Sequence, residues 1–192
     1  MMIARNIDPG VTMRKNRRYP KAVVLVLLVL VLAGCGIKTE GLIPDQQTPA
    51  ARQINKSVKV MPVEGGRASS FGREAYITNE QFFEALRRTM IDSRVFASVV
   101  ESGDKADLNL YSEIITVTTE GGISPTYAIV VQYWLVDPAT GRQVWRKGIN
   151  TRHHVEWNEA FAGATRIIRA VEGATKKNLL RLVEELSSTP LT

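Results

Sequence analysis

The stretch from Tyr127 to His154 constrains the fold of this 192-residue chain more than any other segment. Tyr127 to Val136 is apolar on both faces, the pattern of a strand in the middle of a sheet. Asp137-Pro138-Ala139-Thr140-Gly141 follows, with proline early and glycine late, where a hairpin turn tolerates positive φ. Gln143 to His154 then returns as the partner strand, with Trp145 and Ile149 on a single face. Two paired strands of this length need a third element to bury their apolar side, so the rest of the chain is read for what supplies it.

Ser57 to Val63 alternates, with Val58 and Val60 on one face, and reads as a first strand ended by Pro62. Glu64 to Tyr76, with Gly65-Gly66, Ser69-Ser70 and Gly72, reads as a loop. Thr78 and Gln81 form a capping box, and Ile77 with Phe82 a hydrophobic staple. The helix they start runs to about Ser93, with Phe82, Leu86 and Met90 along one stripe. Phe96 to Glu101 is a short strand closed by Ser102-Gly103-Asp104. Asp107 to Thr119 is a long strand whose apolar face switches between Ile114 and Ile115, the mark of a bulge or a twist. Gly121-Gly122 and Pro125 break it. Asn158 is the expected cap of a last helix running to about Leu186, with the stripe Phe161, Ala164, Ile168, Val171, Leu179, Leu182 and Leu186. The expected fold is α+β, a mostly antiparallel sheet with two helices packed on one face, in the order β-α-β-β-β-β-α.

The N-terminal region has a different grammar. Arg14, Lys15, Arg17, Arg18 and Lys21 precede an uninterrupted apolar run, Ala22 to Leu32, and Leu32-Ala33-Gly34-Cys35 follows. A basic segment, an apolar segment and small residues form a secretory signal. Eleven apolar residues make a helix of about 16 Å, against about 30 Å of hydrocarbon, which is short for a permanent span. The only cysteine, placed directly after Ala33-Gly34, makes the segment resemble a bacterial lipoprotein signal. That resemblance implies cleavage between Gly34 and Cys35, and a diacylglycerol and an N-acyl chain on Cys35. No other cofactor is expected. Gly36 in place of aspartate favours the periplasmic face of the outer membrane. The expected organisation is a signal peptide over 1–34, an acylated N-terminus and flexible tether over 35–56, one periplasmic domain over 57–188 and a C-terminal tail over 189–192.

Processing changes the charge. The chain carries 25 basic and 19 acidic residues, net +6, but six of the basic residues and one acidic residue lie within 1–34. The remainder holds 19 basic and 18 acidic residues, net +1. The basic excess belongs mostly to the signal, and with it goes the case for a nucleic-acid partner.

A catalytic site is hard to assemble. His153 and His154 are adjacent, so in a strand they point to opposite faces and cannot share a metal. No Gly-x-Ser-x-Gly elbow is present, and the Gly65–Gly72 loop lacks the Gly-Lys-Ser/Thr ending of a P-loop. Trp134, Trp145 and Trp157 read as cross-strand packing plus an anchor where the last helix begins. Arg166, Arg169, Lys176, Lys177 and Arg181 alternate with Glu172, Glu184 and Glu185, as on a solvated helix face. The chain is therefore read as a non-enzyme with no metal site.

Val58-Lys59-Val60-Met61-Pro62-Val63, the helix with Phe83, Ala85 and Leu86, and Asp92-Ser93-Arg94-Val95-Phe96 resemble a domain shared by several envelope lipoproteins. These include penicillin-binding-protein activator lipoproteins, the curli secretion channel lipoprotein and the N-terminal domain of the Tol-Pal propeller protein. The resemblance implies a membrane-anchored accessory module that binds an envelope protein or assembles with copies of itself. An auxiliary lipoprotein subunit of an envelope lipid or solute transport system is the alternative. Expected partner contacts are Gly65, Gly66, Arg67 and Phe71 in the first loop, Gly121 and Gly122 in the later turn, and the edge of the first or second strand.

Overall fold

The computed structural model describes residues 37–45, 50–67, 77–101 and 103–188. All belong to one compact unit, Gly36–Thr192. Gly34, Cys35 and Phe71 lie outside the described residues, as do the signal segment and the C-terminal tail. The order is α1 (Thr39–Leu42), β1 (Ile54–Val60), α2 (Asn79–Ser93), β2 (Phe96–Val99), β3 (Leu108–Glu120), β4 (Thr126–Val136), β5 (Gln143–His154) and α3 (Gly163–Ser188).

The five strands form one sheet in the order β2-β1-β3-β4-β5. β3, β4 and β5 are an antiparallel meander, as their turns dictate. β1, however, runs parallel to both β2 and β3, so the sheet is mixed. The reason lies in the connections. α2 carries the chain back along β1, and β2 therefore starts at the same end as β1. β2 ends and β3 begins beside Val58, and Asp107 pins the short connection by accepting from the Ser57 amide and hydroxyl, both at 2.7 Å.

Both long helices cover one face. Along β4, Tyr127, Ile129, Val131, Tyr133 and Leu135 are buried beneath them, while Ala128, Val130, Gln132, Trp134 and Val136 on the other face are half-buried. Of the bulge or twist expected after Ile114, the register shows a bulge: β3 slips between Ile114 and Thr116, leaving Ile115 exposed. α2 starts on the expected capping box. Gln81 N–H donates to Thr78 Oγ1 at 3.2 Å, and Thr78 N–H donates to Gln81 Oε1 at 3.0 Å. It stops at Arg94, whose left-handed φ of 52° ends the helix in the manner usually left to glycine.

Two expectations change. The segment expected to be a spacer is partly core: Ile37 and Leu42 are buried, α1 packs against both long helices, and β1 already begins at Ile54. Gln81 Nε2 donates to the Ile37 carbonyl at 2.7 Å, so one side chain both caps α2 and binds the N-terminal segment. The last helix begins at Gly163 rather than at Asn158. Its buried side chains begin at Ala170, because the sheet beneath ends: His153, next to the last residue of β5, already lies against Gly173.

Candidate functional surface

The interface between helices and sheet is filled. Phe82, Leu86 and Met90 of α2, Leu179, Leu182 and Leu186 of α3, and Tyr127, Tyr133 and Leu135 of β4 are all buried there. A polar cluster closes it: Tyr133 O–H donates to Asn178 Oδ1 at 2.7 Å, and Asn178 Nδ2 donates to the Ile149 carbonyl at 3.0 Å. Burial holds the Tyr133 phenol well above its ordinary pKa, so it is a permanent donor. Among the described residues, these side chains fill the centre of the layer between helices and sheet.

Two cavities lie at the rim. One, of about 560 Å³, runs between Lys147–Thr151 on β5 and Lys177, Arg181, Glu184 and Glu185 on α3. Its charges are largely paired: Lys147 Nζ lies 3.0 Å from Glu185, and Arg181 lies 3.4 Å from Glu185 and 3.6 Å from Glu184. The other, of about 400 Å³, is lined by Gly65, Gly66, Arg67, Ile77 and the β3 bulge from Glu113 to Val117. Three of the expected contact residues thus meet at a cavity. The two glycines also have a structural reason. Gly65 has φ +82°, and a Cβ there would overlap the Ile114 carbonyl; one on Gly66 would meet Asn79 Oδ1 at 2.6 Å. Gly121, with φ +82°, and Gly122, with open space around it, form the β3–β4 turn. β1 has no free edge, being paired on both sides, so the strand edges left open are those of β2 and β5.

Among the described residues no three His, Cys, Asp or Glu side chains group to hold a metal. His153 packs on Gly173, and burial, then the charge of Lys177, depress its pKa. His154, on the other face, bonds Thr126 Oγ1 at 2.8 Å and sits 3.3 Å from Glu156. No helix among the described residues is long and apolar enough to cross a membrane.

The tryptophans divide. Trp134 stacks on Tyr111 across the strands of the uncovered sheet face, with centroids 5.5 Å apart and planes 5° apart. Trp145 is buried. Trp157, expected as an anchor for the last helix, is 66% exposed, and Phe161, expected on that helix's buried stripe, is fully exposed. The loop bearing them is held from below. Arg166 Nη1 donates to the carbonyls of Ala160 at 2.6 Å, Trp157 at 3.2 Å and Phe161 at 3.4 Å, and Arg169 donates to that of Glu159. Sequence reasoning missed this surface because Phe161 continues the helical spacing of residues that are buried.

Among the described residues the arrangement is an α+β domain whose sheet carries its helices on one face. No protein-family model and no curated protein sequence matches the chain. Solved structures with a TM-score of 0.50 or more share its fold. A DUF330-family protein from Xanthomonas campestris superposes with a TM-score of 0.59 at 16% identity, over 76% of this chain and 91% of that one. A hypothetical protein from Chlamydia trachomatis gives 0.50 at 11% identity, over 70% and 99%. A dodecamer of PelC from Paraburkholderia phytofirmans gives 0.49 at 12% identity, over 76% and 97%.

Proposed function

We propose that this chain is a non-enzymatic lipoprotein of the bacterial envelope, anchored through acyl chains on Cys35 at the periplasmic face of the outer membrane. Its domain serves as a protein-binding or assembly accessory module of the type its sequence resembles. The observation that carries the reading is Leu32-Ala33-Gly34-Cys35 at the end of a basic and then apolar segment. Two features of the domain support it: a sheet face bearing the stacked Tyr111 and Trp134, and two sheet-edge strands, β2 and β5. Anchoring supplies the mechanism, since confinement to a membrane raises the effective concentration near partners there. Mass spectrometry of the processed chain tests the anchor, with an acylated Cys35 as its first residue expected; a processed chain with an unmodified Cys35 overturns it. Crosslinking in intact cells through a photoreactive residue at position 134 tests the module. A discrete adduct is expected, and exclusive recovery of monomer overturns that part.

A further inference from the structure

The loop between β5 and α3 presents aromatic side chains to solvent on a hydrogen-bonded base. Trp157 is 66% exposed and Phe161 fully exposed, yet their backbone is fixed by Arg166 and Arg169 bonding four of the loop's carbonyls. The β3–β4 turn is tied to it by Val155 N–H donating to the Pro125 carbonyl at 3.0 Å, and that turn carries Ile123, 71% exposed. These are three of the five large apolar side chains that the described residues expose. Exposed apolar groups gathered on two joined loops mark a contact surface.

What covers the surface follows from where the anchor joins the domain. Only Gly36 separates Cys35 from Ile37. Two peptide units reach at most about 7.6 Å, so an acylated Cys35 keeps the domain against the lipid rather than at the end of a spacer. Ile37 sits on the first turn of α2, bonded by Gln81, and Gly41 packs against Glu172 in the N-terminal half of α3. Glu172 is nine residues, about 14 Å of helix, from Gly163, which directly follows the aromatic loop. Ile37 and the aromatics therefore lie on the same half of the helix layer. The charges nearby balance, with Glu120, Glu156 and Glu159 against Arg152, Arg166 and Arg169. An uncharged interfacial layer suits such a surface better than a strongly anionic one.

We propose that Trp157 and Phe161, with Ile123 beside them, enter the interfacial layer of the phospholipid bilayer that holds Cys35, giving the domain a second membrane contact and a fixed orientation. Aromatic side chains on an amphipathic surface settle at this depth; the acyl chains hold the domain at the bilayer, and the second contact sets which face it turns to the lipid. The inference rests on the acylation of Cys35, which the mass of the processed chain reads separately. The test places the acylated full-length mature protein in vesicles of phosphatidylcholine and phosphatidylethanolamine, with and without dibrominated acyl chains, and follows tryptophan emission. Bromine is expected to quench the wild type, and Trp157→Phe to lose that quenching, because Trp145 is buried and Trp134 lies on the open sheet face. Phe161→Ser is expected to reduce it, with circular dichroism unchanged. An acylated protein that shows no bromine quenching overturns the inference and leaves the anchor standing. A sedimentation shift that requires Trp157 and Phe161, without quenching, assigns the patch to a protein contact and likewise overturns it.

Discussion

Asn178 occupies a position on α3 that helical spacing alone assigns to the core, and it is fully buried there. Its amide is used on both sides: the oxygen accepts from Tyr133, and the nitrogen donates to the Ile149 carbonyl and to Thr151 Oγ1, at 3.2 Å. The Thr151 hydroxyl in turn donates to the Ala174 carbonyl at 2.9 Å, closing a link between β4, β5 and α3. Replacing Asn178 with leucine leaves a buried phenol unpaired, and urea unfolding is expected to show a loss of about 2 kcal/mol. Tyr133→Phe is expected to cost about 1 kcal/mol, and the double variant less than the two losses summed, since the partners are coupled. His153 yields a pH prediction. Burial, then Lys177, lower its pKa from 6.5, so the folded state binds fewer protons than the unfolded chain. Stability is therefore expected to fall as pH drops below about 6.5 and through the depressed value. His153→Gln is expected to flatten that part of the pH–stability curve. The sequence shows the two histidines and their opposite faces; the cluster around Asn178 it does not show, because its members are drawn from three separate elements.

Caps, turns and bulges are local, and they were legible. The Thr78–Gln81 box, the β4–β5 hairpin and the slip after Ile114 all depend on residues close together in the chain. The start of α3 was not, although Asn158 is a good cap and Phe161 fits the stripe. A stripe is buried only where something lies beneath it, and the sheet stops at His154. Arg166 and Arg169 then hold the preceding residues as a loop. Elements also decide what the candidate contact glycines do. Gly65→Ala must displace the Ile114 carbonyl from a strained backbone, and a loss of 2 kcal/mol or more, roughly the upper range for backbone strain, is expected in thermal unfolding. Gly122→Ala meets open space and is expected to stay within about 0.5 kcal/mol of the parent. Any effect of Gly122→Ala on partner capture then reports on the surface and not on the fold.

At the scale of the molecule, the N-terminal segment changes meaning. By composition residues 36–56 read as a spacer, yet Leu42 is completely buried and Lys176 reaches Asp45 at 2.6 Å. Leu42→Ala is expected to destabilise the domain by about 2–4 kcal/mol, measured by chemical denaturation; a true spacer residue would leave the midpoint unmoved. Ile37 and Leu42 lie within a polar stretch too short for periodicity to register, and their burial depends on a groove that exists only once α2 and α3 are packed. By itself the sequence determined the α+β class, the order of the long elements and the buried faces of β1 and β5. Those follow from side-chain period and turn chemistry within about a dozen residues. Only the tertiary structure decided that β1 lies parallel between β2 and β3, that the segment after Cys35 belongs to the core, and that Trp157 and Phe161 face outward. Each of these depends on which surfaces meet across long stretches of chain, and local periodicity carries no term for that.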